Sequence, residues 1–326
     1  MTSTHKTARL LVARSYLPER CVENDALPAS LETSDEWIAS RTGIRRRHIA
    51  SDVETVAFMA AEAARRTCEL ANVSAEEVGL IVVATTTPDA VFPSVATDVQ
   101  RRIGAHGAAA FDVQAVCAGF VYALSVARSL MAQRPDMRYA LVIGAEKMSS
   151  IVDWTDRSTC VLFGDGAGAA LLRAEDGPAE GRGVIDFTLR ADGRHRDILY
   201  ADGGTSQKTI GLLRMQGREV FRHAGKLMAG AVQELLDRQS MAASEIDMLV
   251  PHQANKRIID MTAELLGVPA EKTLCTVDRH ANTSAASVPL ALADADAAGK
   301  LRPGALLALT ALGGGLSWGA ALVRWG

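Results

Sequence analysis

Short, unbroken apolar runs alternate along this chain with longer segments in which apolar positions recur every three to four residues. GLIVVAT (Gly79 to Thr85) is apolar throughout and reads as a buried strand. Val95 to Ile103 has helical spacing, and Ala108 to Val113 reads as a second strand. Cys117 to Ala132 reads as a helix with small and apolar faces, and YALVIG (Tyr139 to Gly144) as another strand. Strands and helices in alternation predict α/β layers.

A weak internal repeat lies on this rhythm. SAEEVGLIVVAT (Ser74 to Thr85) is echoed by SEIDMLVPHQ (Ser244 to Gln253); each begins with Ser and acids and enters an apolar strand. GAGAALLRA (Gly166 to Ala174) is echoed by WGAALVRW (Trp318 to Trp325), in the same order. Two similar α/β halves packed against each other are therefore expected. The stretch AEDGPAEGRG (Ala174 to Gly183) has the composition of a boundary loop, which divides the chain into 1–176 and 177–326. A length of 326 residues fits two units.

Composition narrows the class. The chain is 48% hydrophobic and 22% charged with a net charge of −3, so a packed core is expected; nucleic-acid binding is not predicted. Its five cysteines show no metal-site or CxxC spacing, which points to a reducing, cytoplasmic setting. The first residues resemble no signal peptide, and no stretch reads as long and apolar enough to span a membrane.

The candidate chemistry sits at strand ends. In FDVQAVCAGF, Cys117 follows a strand and a tight turn and opens a helix, where N–H groups and dipole favour a thiolate; a lowered thiol pKa is expected. His252 in LVPHQAN stands just past the strand Met248 to Val250. Asn282 in RHANTSAAS stands at a helix entry. Singly, a buried structural cysteine and an N-cap asparagine explain two of these residues as well. Two packed halves bring their strand ends together, and with them all three residues. LGGGLSWG (Leu312 to Gly319) offers backbone N–H groups to an oxyanion, or forms a tight turn between strands. FGDGAGA (Phe163 to Ala169) mimics a dinucleotide fingerprint but runs into the strand-like AALL, which rejects that reading.

The segments TSDEWIASRTGIRRRHIA, ATTTPDAVFPS, AFDVQAVCAGFVYAL, DRSTCVLFGDGAGA, MQGREVFRHA, VPHQANKRI, DRHANTSAASVPLAL and GGGLSWGAALVRW resemble β-ketoacyl-acyl-carrier-protein synthase III. They cover most of the chain in order. The resemblance implies the thiolase fold, a duplicated five-layered αβαβα arrangement, as a homodimer. It implies that Cys117 is the acylated nucleophile and that His252 and Asn282 bind the malonyl thioester carbonyl. The N–H groups of Cys117 and Gly314 would form the oxyanion hole. It further assigns Trp37, Arg41, Thr42, Arg157 and Asn255 to coenzyme A, and Arg222, Lys256 and Arg257 to the acidic carrier protein. Phe92, reaching across the dimer, and Leu312 would bound the acyl pocket. Acyl-CoA and malonyl-carrier protein are substrates, and no cofactor or metal is implied.

The chain departs from the family pattern in places. Ala281 stands where Gly is usual, and its methyl is expected to alter the loop or forbid positive φ. Leu312, Leu316 and Met148 replace residues of other size around the pocket, so a longer or branched primer is expected. Thiolases need a second cysteine near the C-terminus, and none follows Cys275. Elongating condensing enzymes use two histidines with the cysteine, against His252 and Asn282 here. The remaining alternative is an acyltransferase of the same fold that passes the acyl group to an alcohol or amine.

Overall fold

The computed structural model describes residues 6–134, 136–176 and 182–326. In chain order the first part carries β1 (Lys6–Tyr16), β2 (Cys21–Glu23), α1 (Asp35–Thr42), β3 (Arg46–His48), α2 (Val56–Ala71), β4 (Val78–Ala84), α3 (Val95–Ile103), β5 (Ala109–Val113), α4 (Gly119–Gln133), β6 (Tyr139–Lys147) and β7 (Asp165–Asp176). There follow β8 (Gly183–Ala191), β9 (Leu199–Ala201), β10 (Leu213–Met215), α5 (Gly217–Arg238), β11 (Met248–Pro251), α6 (Lys256–Leu266), α7 (Val277–His280), α8 (Ser287–Ala297), β12 (Leu306–Gly313) and β13 (Ser317–Arg324).

The repeat in the sequence is a repeat in topology. One sheet has the order β1-β7-β6-β4-β5 and the other β8-β13-β12-β11. In each, two antiparallel pairings are followed by a parallel one: β1/β7, β7/β6 and β6∥β4 answer to β8/β13, β13/β12 and β12∥β11. The echoed segments fall on β4 with β11 and on β7 with β13. Each of the first pair is preceded by a 3₁₀ turn whose third residue, Glu77 or Glu245, accepts the cap N–H of Ser74 or Ala242.

Five layers result. α2 and α3 cover one face of the first sheet through Met59, Ala60, Ile81 and Leu141. α4 and α8 lie between the sheets, where Val82 packs with Phe120, Leu124, Leu292 and Leu309. α5 and α6 cover the second sheet through Val232, Leu235 and Leu249. Close approach of the middle layer depends on glycine: a Cβ on Gly144 would collide with the Ala285 carbonyl.

Two expectations are corrected. The helix foreseen from Cys117 starts at Gly119; Val116 to Ala118 form a separate 3₁₀ turn, so the cysteine precedes the helix. Val116 to Gln133 does have the length and apolar composition of a membrane span, and about half of it (56%) is buried inside the protein as the central layer. The boundary set at 176/177 adjoins residues 177–181, half of that loop, which lie outside the described residues.

Candidate active site

Cys117, His252 and Asn282 meet at the floor of one cleft of about 620 Å³. All three are buried, at 5%, 3% and 7% exposure. Cys117 and Asn282 arrive beside backbone turns of positive φ, and His252 directly after β11. β5 ends at Val113, and Val116 then takes φ of 49°, a left-handed value that β-branched residues resist. The reversal points Cys117 into the cleft at the foot of α4. The backbone of Gly313, last in β12, closes on it from the other half; a Cβ there would lie 2.6 Å from the Cys117 nitrogen.

The thiol is not acidic. Burial pushes it up to about 12, a Ser284 hydrogen bond lowers it in part, and Glu146 nearby raises it again. The expected fall at the helix start is therefore overturned. Loss of hydration is the largest cause, and Cys117 stands in the 3₁₀ turn before α4, not in the helix's first turn.

His252 follows β11 directly, and its N–H donates to the Thr310 carbonyl at 2.8 Å. Its Nδ1 lies 2.6 Å from Ser287 Oγ. Burial lowers its pKa to about 3, so the ring is neutral at pH 7. Asn282 is held by its backbone, donating to Leu162 O at 2.9 Å and accepting from Gly164 N–H at 3.1 Å. Its Oδ1 accepts the Ser284 N–H at 2.9 Å. That fixes the amide orientation and leaves the Nδ2 donors for the cleft. Ala281 does not forbid positive φ: it adopts φ 56°, ψ −159°, a region kept almost wholly for glycine. The loop keeps its path and carries the strain.

Beneath the floor lies a carboxylate that sequence reasoning missed. Glu146, at 0% exposure, accepts from Thr85, Thr86, Thr87 and Ser284 hydroxyls and from the Thr86 N–H. Its pKa is raised by burial and drawn back by these donors. It ties the loop after β4 to the Asn282 loop. A lone acid at the end of the apolar run YALVIGAEK gives no periodic signal.

The mouth is built differently. The Arg41 and Arg157 guanidiniums lie 4.6 and 5.5 Å from the Trp37 ring centre. Arg157 also donates to Glu32 O at 3.1 Å. Asn255 lines the cleft as N-cap of α6, accepting from Ile258 N–H at 3.0 Å. Arg257 lies over Phe221 at 4.8 Å and lines the cleft beside Arg218, which the sequence reading did not single out. Its place in the first turn of α5 carries no signal by itself.

Several expected residues lie elsewhere. Thr42 is buried; its hydroxyl donates to Ile38 O at 2.7 Å and accepts from Ile44 N–H at 3.0 Å, so it serves the end of α1 and does not face the cleft. Arg222 pairs with Glu219 at 3.5 Å and Lys256 with Asp260 at 2.7 Å, both outside the cleft lining. Leu312 and Met148 line the cleft, whereas Leu316 is packed behind with Met228 and Ile258. Gly314 is not in the lining; a Cβ there would meet Leu199 O at 2.6 Å. Phe92 is 82% exposed and remote from this chain's own cleft. Among the described residues no cluster of three or more His, Cys, Asp or Glu side chains is placed to hold a metal.

Comparison with known proteins adds a family. The model for 3-oxoacyl-[acyl-carrier-protein] synthase III matches residues 111–193, and that for its C-terminal part residues 236–325. A relative from Paramagnetospirillum magneticum, named beta-ketoacyl-[acyl-carrier-protein] synthase III, is 54% identical over 97% of this chain and 98% of its own. The structure of 3-oxoacyl-[acyl-carrier-protein] synthase III from Aquifex aeolicus superposes with a TM-score of 0.91 at 43% identity, covering 98% of this chain and 100% of the other. The priming β-ketosynthase of the R1128 polyketide pathway gives 0.93 at 34% identity, covering 100% and 98%.

Proposed function

Because this chain belongs to the β-ketoacyl-acyl-carrier-protein synthase III family, we propose that it joins an acyl-CoA primer to malonyl-carrier protein, giving 3-ketoacyl-carrier protein, carbon dioxide and CoA. The observation that carries this reading is the buried floor. One thiol shares the cleft with His252 and Asn282, whose Nε2 and Nδ2 have no protein partner among the described residues.

The chemistry follows from protonation states. Cys117 attacks the acyl thioester carbon as the bond to CoA sulfur breaks. The thiolate is the attacking form, so the thiol proton must leave as the C–S bond forms and ends on the departing CoA sulfur; the desolvation that pushes the thiol up to about 12 opposes this step. Malonyl thioester then occupies the cleft. His252 and Asn282 donate to its carbonyl oxygen; the C–C bond to the carboxylate breaks, CO2 leaves, and the electron pair becomes an enolate. Neutral donors in a dry site stabilise that oxyanion with no reorganisation at the moment of reaction. The enolate carbon attacks the acyl carbonyl, the N–H groups of Cys117 and Gly314 take the new oxyanion, and the C–S bond to Cys117 breaks as the sulfur takes up one proton from solvent, the proton that decarboxylation consumes.

The mouth fits CoA and a carrier-bound phosphopantetheine. Trp37 with Arg157 is suited to stack on adenine, and Arg41, Arg218 and Arg257, none of which has a carboxylate partner among the described residues, suit phosphates. With Arg222 and Lys256 partly neutralised by their neighbours, Arg257 and Arg218 are the stronger attraction for an acidic carrier protein. Exposed Phe92 supports a homodimer in which it enters the partner's acyl pocket. Five free cysteines support a cytoplasmic setting. Leu312 and Met148 in the cleft support a primer longer than acetyl or branched.

Intact-protein mass after acyl-CoA and then malonyl-carrier protein tests this. One acyl mass gained, and lost as 3-ketoacyl product forms, is expected across several chain lengths. Acylation without ketoacyl product would assign the transfer to an alcohol or amine acceptor instead. A sharp preference for acetyl-CoA would remove the longer-primer reading alone.

A further inference from the structure

His252 can serve as a donor to a thioester carbonyl only if its single proton is on Nε2. A neutral imidazole places that proton on either nitrogen, and the partner of the other nitrogen decides which. Ser287, first residue of α8, is that partner at 2.6 Å. Both groups are buried, Ser287 at 1%, so water does not compete.

The direction of this bond is readable from what else the serine touches. Its oxygen accepts the Gln253 N–H at 3.3 Å. Hydroxyls inside helices ordinarily donate to the carbonyl four residues back, as Ser125 does to Val121 at 2.8 Å, Ser129 to Ser125 at 2.8 Å and Thr262 to Ile258 at 2.8 Å. Ser287 makes no such bond among the described residues. Its proton has one acceptor in reach, the Nδ1 lone pair. We infer that Ser287 donates to Nδ1 of His252, excludes the Nδ1–H tautomer, and so holds Nε2–H towards the cleft as an oxyanion donor.

Ser287 is thus a positioning residue, acting through His252. The Gln253 backbone contributes by occupying a lone pair of Oγ, which orients the hydroxyl proton at the ring. Gln253 is itself fixed: its Nε2 donates to Pro251 O and Leu274 O, and its Oε1 accepts from Thr276 N–H, at 2.8, 3.1 and 2.7 Å. These bonds tie the histidine segment to the chain before α7, and the Gln253 N–H and His252 Nδ1 tie it to Ser287 at the start of α8, so the tautomer is set before substrate arrives. The catalytic consequence rests on the condensing reading; the tautomer assignment does not.

The test is nitrogen NMR of histidine-labelled protein at pH 7, on wild type, Ser287→Ala and Ser287→Thr, with rates of the two half-reactions alongside. Wild-type His252 should show a pyridine-type Nδ1 and a pyrrole-type Nε2. Ser287→Ala should mix or reverse the pattern, and Ser287→Thr should restore it. Malonyl decarboxylation and condensation should fall in kcat in Ser287→Ala, by no more than the factor of about 10² to 10³ that loss of one oxyanion donor costs. The KM for acyl-CoA and the rate of Cys117 acylation should hold. A pyrrole-type Nδ1 in the wild type overturns the inference, as does a Ser287→Ala protein with unchanged tautomer and full condensing rate. Should no form condense while the nitrogen pattern responds to Ser287 as stated, the condensing reading fails and the serine's hold on the ring is upheld.

Discussion

The floor and the mouth of the cleft are built on opposite principles. At the floor every reactive side chain is buried, and two are flanked by strain: Val116, Ala281 and Ser284 take φ of 49°, 56° and 49° beside Cys117 and Asn282. At the mouth, Arg41, Arg157, Arg218 and Arg257 are exposed and held by little more than aromatic faces. The difference teaches where each kind of work is done. Stabilising a short-lived oxyanion needs preorganised donors out of water, and strain of about 1–3 kcal/mol per residue is tolerated to place them. Gathering a polyanionic substrate from solution needs charge that reaches outward and adapts.

The contrast can be broken most sharply at the nucleophile. Cys117→Ala should abolish the acyl adduct in intact-protein mass while leaving the thermal unfolding transition in place. His252→Ala should accept the acyl group yet lose about 10²- to 10³-fold in condensation, the usual loss for one oxyanion donor. If acylation and condensation fall together, the donors do not belong to the second half-reaction.

Acid should weaken the floor before the mouth. An unfolded histidine titrates near 6.5 and folded His252 near 3, so protons bind the unfolded chain first. The stability it contributes is whole above pH 6.5 and is lost as pH falls towards 3, up to several kcal/mol by linkage. Urea unfolding at pH 7.5 and 4.5 should show a smaller loss in His252→Asn than in wild type; equal losses would refute a deeply depressed histidine.

Charge removal at the mouth should be milder. Arg218→Ala with Arg257→Ala is expected to raise the KM for malonyl-carrier protein about 10-fold at low salt and far less at 0.5 M, where screening is strong. Steady-state kinetics at two salt concentrations reads this, and a salt-independent change in kcat would place these arginines in the chemistry instead. Smallest is Ala281→Gly, which relieves the positive φ at the cost of a more flexible unfolded chain. A net gain of about 1 kcal/mol is expected, read as a few degrees in Tm.

What the sequence made legible follows the same division. Cys117 and His252 could be found because each follows an apolar strand, and Asn282 because it stands at a helix entry within a segment that resembles the family; the repeat told which ends meet. The repeat was legible since β4 and β11, or β7 and β13, keep similar patterns of burial. The thiol's acidity was misjudged because a helix start is visible in sequence and the burial around it is not. For Thr42 the sequence does not show what the structure does: its hydroxyl is bonded to Ile38 O and Ile44 N–H at the end of α1. Glu146 and Ser287 were invisible, since their meaning lies in partners 59 to 138 and 34 to 35 residues away. Ala281 was rightly marked as a departure, but only the structure shows that the backbone kept its course.

The middle layer has a consequence for how the protein is made. Its apolar contacts join Leu10 and Val82 to Leu309, Ala321 and Trp325, at the far end of the chain. Until β12 and β13 are added, α4 and α8 lack the second sheet they pack against, and Cys117 stands without the glycine loop that later closes on it. A nascent chain stalled before β12 would present both a wide greasy surface and an unprotected thiol. The residues from β12 onward are thus the ones that turn a sticky, oxidisable intermediate into an enzyme, and chaperone demand should peak just before they emerge.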